Sequence, residues 1–166
     1  MDYKKLKTKL LSIQEDTKFR KGANIEEIKE AEKILGVKLP ESYKRFLQDF
    51  NGGGIGHFVI CGIGEDHPDY QGMNIVKLTL ELRNDYRPNY YIPNNLIPFY
   101  DYGNGDYDCF DTNKFEEGEC PVVVWNHETF FENLNDLTKN YEVINKNFIE
   151  WLNKKVESWL EYKQEQ

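Results

Sequence analysis

The chain has 166 residues, which is the size of one domain, and its 10 Phe, 11 Tyr and 3 Trp can form a core large enough to fold alone. Its 21 Lys and Arg against 29 Asp and Glu give a net charge of −8, and because residues 1–22 carry +4, the other 144 carry −12. This acidic body argues against nucleic acid as a direct ligand, and we find neither an apolar run that could span a membrane nor a signal peptide.

The first two predicted elements are helices. Apolar residues at helical spacing predict an amphipathic helix over 2–16, followed by a basic connector over 17–22. A second helix is predicted over 25–35, where Asn24 and Glu27 have the spacing of a capping box. This second helix has the stronger local signals, because a cap precedes its apolar stripe and a glycine follows it.

A third helix and a strand follow. An apolar stripe after Pro40 predicts a helix that the glycines following Asn51 bring to an end. We interpret those glycines, residues 52–56, as a helix stop and a tight lead-in to a sheet. Residues 57–61 are typical of a strand, and residues 62–72 of a loop.

The second half alternates strands and turns before a last helix. Residues 74–86 fit either a helix or a strand, and Asn74 as a cap favours the helix. Three strands are predicted over 96–100, 107–111 and 121–125, with a possible short strand over 129–131. A helix of about sixteen residues begins at Phe148. The predicted class is therefore α+β, with a central antiparallel sheet packed by N-terminal helices and a C-terminal helix.

No catalytic or metal motif is found in the sequence. Nucleophile elbows, zinc-protease motifs and phosphate loops are missing, and the carboxylates after position 100 lack EF-hand spacing. Cys61 and Cys109 are expected in the core, and three cysteines are too few for a disulfide framework, which favours a cytoplasmic location. We predict a noncatalytic protein without cofactor or metal. An enzyme using His57 or His127 is the weakest alternative.

Residues 101–119 are the strongest candidate for a binding site. They hold seven carboxylates against one cation, Lys114, with aromatic residues interleaved. Acidic and aromatic groups on turns between strands suit the docking of a basic protein surface. The loop after Gly64 has the same chemistry. The alternative is that these acids only solvate the turns and that contacts lie on the helices. The predicted partner-binding residues are Asp101, Asp106, Asp108, Glu116, Glu117, Glu65, Asp66, Asp69, Tyr70, Tyr102 and Tyr107.

Three blocks of sequence occur in a characteristic order. The first contains Ile25-Glu-Glu-Ile-Lys-Glu-Ala-Glu-Lys-Ile-Leu-Gly-Val-Lys-Leu-Pro, Tyr43-Lys-Arg-Phe-Leu and Asn51-Gly-Gly. The second contains Leu96-Ile-Pro-Phe, Gly103-Asn-Gly-Asp-Tyr, Asp111 and Pro121-Val-Val-Val-Trp-Asn-His, and the third is Phe148-Ile-Glu-Trp-Leu. Together they resemble the SUKH superfamily, which includes the yeast Smi/Knr cell-wall regulators and many bacterial immunity proteins.

The resemblance covers residues 24–160 and implies one SUKH-like domain over 1–166, with residues 1–22 as an added basic helix and connector. It also implies a noncatalytic immunity protein that binds a cognate secreted toxin, often a nuclease, in the cytoplasm of the producing bacterium and occludes its active site or substrate cleft. The expected partner is a basic protein rather than nucleic acid or a membrane. The alternative is a regulatory scaffold of the yeast type that binds other cellular proteins.

Overall fold

Helices lie at both ends of the chain and antiparallel strands lie between them. The structure, a computed structural model, describes residues 2–64, 74–85, 91–129, 132–133 and 135–166. The elements are α1 (Tyr3–Ser12), β1 (Thr17–Phe19), α2 (Ile25–Leu35), α3 (Glu41–Phe50), β2 (Gly53–Ile55), β3 (Phe58–Ile60), α4 (Ile75–Arg83), β4 (Leu96–Asp101), β5 (Tyr107–Asp111), β6 (Val122–Trp125), β7 (Tyr141–Asn145) and α5 (Phe148–Gln164).

The smaller sheet has the strand order β1-β2-β3 and is antiparallel throughout. Phe19 of β1 faces Gly53 of β2, where a Cβ atom would lie 2.3 Å from the backbone oxygen of Lys18. Glycine therefore allows β1 to approach closely. This pairing corrects two predictions: residues 17–19 form a strand rather than a connector, and the glycine run contributes a strand of its own.

The larger sheet has the order β4-β5-β6-β7, again antiparallel. Its first three strands confirm the predicted ones, whereas β7 was not predicted. Thr129, in the possible strand over 129–131, lies in a turn, and residues 130–131 are outside the described residues. The two sheets meet where the Cys61 N–H donates to the Phe99 oxygen at 2.9 Å.

Aromatic side chains fill the main core, between the larger sheet, α3 and α5. Phe99 and Phe110 stack with centroids 4.2 Å apart, and Phe148 of α5 meets Tyr43 of α3 edge-on at 5.1 Å. The buried Tyr43 hydroxyl donates to the Cys61 oxygen at 2.7 Å. On the other face of the sheet, Leu82 of α4 belongs to a second, smaller apolar cluster. Both faces of this sheet are therefore covered.

Helix ends agree well with the capping signals. The predicted capping box of α2 is present, with Asn24 and Glu27 each accepting the other's backbone N–H. Asn74 caps α4 and confirms the helical interpretation of that segment. The first helix is shorter than predicted because its last residues form a 3₁₀ turn over Gln14–Asp16. Within the described ranges, no helix is both long and apolar enough to cross a bilayer.

Candidate partner-binding site

The loop of the β4–β5 hairpin, residues 101–106, carries the accessible part of the predicted acidic site. Asp101 Oδ1 accepts the Gly103 N–H at 2.6 Å, and the Tyr102 N–H donates to the Asp106 backbone oxygen at 3.2 Å. Asp106 Oδ1 also accepts the His127 N–H at 3.1 Å and lies 2.8 Å from Nδ1 of that ring. These contacts hold the hairpin loop on the end of the sheet, while Tyr102 stays 44% exposed.

Asp108 lies beneath the hairpin loop, which corrects its prediction as a contact residue. Its side chain is fully buried. Asp108 Oδ2 accepts the Trp151 indole N–H at 2.7 Å, and both carboxylate oxygens accept the Tyr102 hydroxyl, at 3.0 and 3.1 Å. Burial raises the pKa of Asp108, and the Trp151 hydrogen bond and the Lys155 charge act in the opposite direction. The carboxylate therefore anchors Tyr102 instead of meeting a partner.

Lys155 of α5 sits among aromatic rings next to this carboxylate. Its Nζ is 3.8 Å from Asp108 Oδ2 and lies 4.3 Å from the centroid of Tyr100, 5.1 Å from that of Tyr102 and 5.3 Å from that of Trp151. Cation–π attraction favours this placement, although burial lowers the pKa of Lys155. Lys155 offsets the buried charge of Asp108, whereas Asp101 and Asp106 of the hairpin loop are partly exposed.

A second acidic turn follows β5 at the far end of the same sheet. Glu116 and Glu117 are exposed there, and their role as contact residues stays a prediction. The cleft beside them is also lined by Lys114 and Lys146, so positive and negative charges are mixed. Because this turn follows the last residue of β5 and the hairpin loop precedes the first, the two acidic turns lie at opposite ends of the sheet and form separate surfaces.

The other predicted site residues do not join the hairpin loop. Tyr107 is only 8% exposed and belongs to the small cluster beneath α4, so its prediction as an aromatic anchor is corrected. Alternation along β5 directs it to the face opposite Asp108. Glu65, Asp66, Asp69 and Tyr70 lie outside the described residues, and their role stays a prediction.

Sequence reasoning missed the support that α5 and the outer strands give to this site. Lys155 falls one helical turn after Trp151 on the same side of α5, and a lysine within an apolar stripe was the available signal. Strand register places Val124 opposite Asp108 and Glu142 opposite Val124, so the three side chains share one face. Glu142 is exposed and adds to the acidic character of this end.

Cysteine and histidine side chains are the remaining candidates for reactive groups. Cys61, Cys109 and Cys120 are buried thiols that form no disulfide, and burial raises the pKa of both Cys61 and Cys120 to about 12. Among the residues that the structure describes, no group of three His, Cys, Asp or Glu side chains has a geometry that could hold a metal ion. His127 contacts Asp106, whereas His57 packs against α5.

Fold and site together define a small α+β protein with helices at both ends of the chain and an acidic, aromatic hairpin loop at one end of its larger sheet. The match to a family of known proteins is consistent with this class. Residues 22–154 match the SMI1/KNR4 family (SUKH-1), and the chain belongs to that family.

Proposed function

We propose that this protein is an immunity protein that binds a toxin protein in the cytoplasm of the producing bacterium and neutralises it without catalysis. One observation carries the proposal. This chain belongs to the SMI1/KNR4 family, and its acidic and aromatic hairpin loop is held by hydrogen bonds on the end of the larger sheet. The net charge of −8 suits a basic partner.

The hairpin loop would act by occupying a basic cleft. If the toxin is a nuclease, its cleft must attract phosphate groups, and Asp101 and Asp106 can take their place opposite toxin arginines. Tyr102 can supply apolar contact area from the same loop, because its hydroxyl is held by Asp108 while its ring is partly exposed. Truncating a carboxylate that faces Arg in a desolvated interface costs ~2–5 kcal/mol.

The two acidic turns provide a matched experiment. One double variant, Asp101→Lys with Tyr102→Ala, changes a carboxylate and an exposed aromatic in the hairpin loop. The control, Glu116→Lys with Phe115→Ala, makes the same change at the far end of the sheet, where Phe115 is 38% exposed. Binding is measured by calorimetry against a candidate toxin, chosen as a neighbouring gene's product that carries a secretion module and a toxic C-terminal domain. Folding of both variants is checked by thermal unfolding.

We expect the hairpin variant to bind at least about tenfold more weakly and the control to bind nearly as tightly as the unchanged protein. If instead the control alone loses affinity, the toxin contacts the turn after β5 and the site assignment is wrong. If the unchanged protein does not bind that toxin, the proposed immunity function is contradicted.

A further inference from the structure

The two ends of the chain, which lie outside the family match over 22–154, fold against each other. Lys9 of α1 pairs with Glu157 of α5 at 3.0 Å. Lys163, near the end of α5, pairs with Asp16, which follows α1, at 2.8 Å. These contacts place residues from both ends beside the turn between β2 and β3. A surface groove of about 440 Å³ lies there.

Three aromatic rings form one wall of this groove, which we call the terminal groove. Trp159 and Tyr162 stack with centroids 5.5 Å apart, and His57 meets both rings edge-on, at 5.6 and 6.0 Å. Gly56 makes this packing possible, because a Cβ atom there would lie 2.4 Å from the Trp159 ring. Tyr162 is nevertheless 48% exposed and His57 is exposed. An exposed cluster of aromatic rings is typical of a protein interaction site.

Two carboxylates, Glu15 and Asp16, line the terminal groove beside these rings. Glu15 is exposed and makes no ion pair within the described residues. Lys18 also lines the groove, whereas Lys163 is engaged by Asp16, whose pKa it lowers.

We propose that the terminal groove is a docking site for an arginine-bearing segment of a partner protein. A guanidinium group can stack on the exposed Tyr162 ring and donate hydrogen bonds to the Glu15 carboxylate at the same time. Lysine fits less well, because its ammonium group does not stack as a plane. This docking site is separate from the hairpin loop and does not depend on whether the protein neutralises a toxin.

The test uses the full chain and three short synthetic peptides in which glycine alternates with arginine, lysine or glutamate. NMR titration follows the indole N–H signal of Trp159, with those of Trp125 and Trp151 as internal references. We expect the arginine peptide to shift the Trp159 signal saturably, the lysine peptide to bind more weakly, and the glutamate peptide to have no effect.

Three variants locate the binding. Tyr162→Ala and Glu15→Lys should each weaken the arginine peptide about fivefold or more, whereas Glu30→Lys, an equal charge change on exposed α2, should have little effect. An unmoved Trp159 signal, or equal weakening by Glu30→Lys, overturns the proposal. So does a Trp159 signal that shifts with protein concentration alone, because the groove would then bind a second copy of the chain. Thermal unfolding checks that each variant is folded.

Discussion

The carboxylate of Asp108 accepts hydrogen bonds from Trp151 and Tyr102 and lies beside Lys155, all within the fold. In the sequence, Asp108 cannot be distinguished from Asp106, two residues earlier, as a candidate contact residue. Side chains alternate between the two faces of a strand, and this alternation identifies exposed residues only when one face of the sheet is open to solvent. In β5 every residue is buried. Helices cover both faces of this sheet, so the pattern could not separate buried from exposed acids.

The raised pKa of Asp108 has a direct consequence for stability. A carboxyl group with a higher pKa in the folded chain binds its proton more tightly there than in the unfolded chain. Its contribution to stability is therefore greatest below the ordinary value of 3.8 and falls as the pH rises through the raised folded pKa. Asn at this position keeps a hydrogen-bond acceptor but does not titrate.

We predict that the free energy of unfolding of the unchanged protein, minus that of Asp108→Asn, decreases as the pH rises from 3.8 toward neutrality. Urea unfolding at several pH values measures this difference. Asp136→Asn is a control of opposite sign, because hydrogen bonds from Thr138 lower the pKa of Asp136 and its contribution is lost as the pH falls. A difference for Asp108→Asn that increases with pH would contradict the buried placement of this carboxylate.

At the scale of elements, the predictable parts were those with local signals. The second helix has its own cap, apolar stripe and terminal glycine, and its observed bounds are the predicted ones. The strand β1, by contrast, has three residues and depends on close approach to Gly53, a contact that lies far away in the sequence. β7 is an edge strand with exposed central residues, so it lacks the apolar alternation of a buried strand.

The helix α3 begins without a side-chain cap of its own, because Pro40 stands at the capping position. Two of its first backbone N–H groups are satisfied by the distant turn after β5. The Glu41 N–H donates to the Gly118 oxygen at 2.9 Å, and Glu119 accepts both the Ser42 N–H at 2.8 Å and its hydroxyl at 2.6 Å. This turn is therefore bound to α3 and has a structural role.

We predict that Glu119→Ala lowers the free energy of unfolding by about 1–2 kcal/mol, because it leaves the Ser42 N–H and hydroxyl in the first turn of α3 without their acceptor. Glu116→Ala, in the same turn but exposed, should change it by less than about 0.5 kcal/mol. Chemical denaturation of both variants measures the two effects. Equal effects would show that Glu119 does not cap α3 in solution.

At the scale of the whole molecule, charge is distributed unevenly. Residues 1–22 carry +4 and the rest of the chain −12. The family and the class of fold could be predicted, since both depend on patterns within the sequence. The candidate site could be predicted only in part. Whether two acidic turns lie on the same surface depends on how the strands pair in the sheet. The terminal groove could not be predicted, since it needs the two ends of the chain to meet.

We predict that association with a basic partner is fast and slows as salt is added. Attraction between opposite net charges acts over long distances and is screened within about 8 Å at physiological ionic strength. Stopped-flow measurement of the association rate at low and high salt tests this, with the dissociation rate expected to change less. An association rate that does not depend on salt would exclude electrostatic steering.

Growth under co-expression tests most directly whether this chain protects a cell from a toxin by binding it. The candidate toxin is produced in a sensitive bacterium with the unchanged protein, with Asp101→Lys/Tyr102→Ala, or with Glu116→Lys/Phe115→Ala. We expect growth with the unchanged protein and with the variant at the far end of the sheet, and arrest with the hairpin variant. Arrest with the unchanged protein, produced in soluble form, would contradict the account.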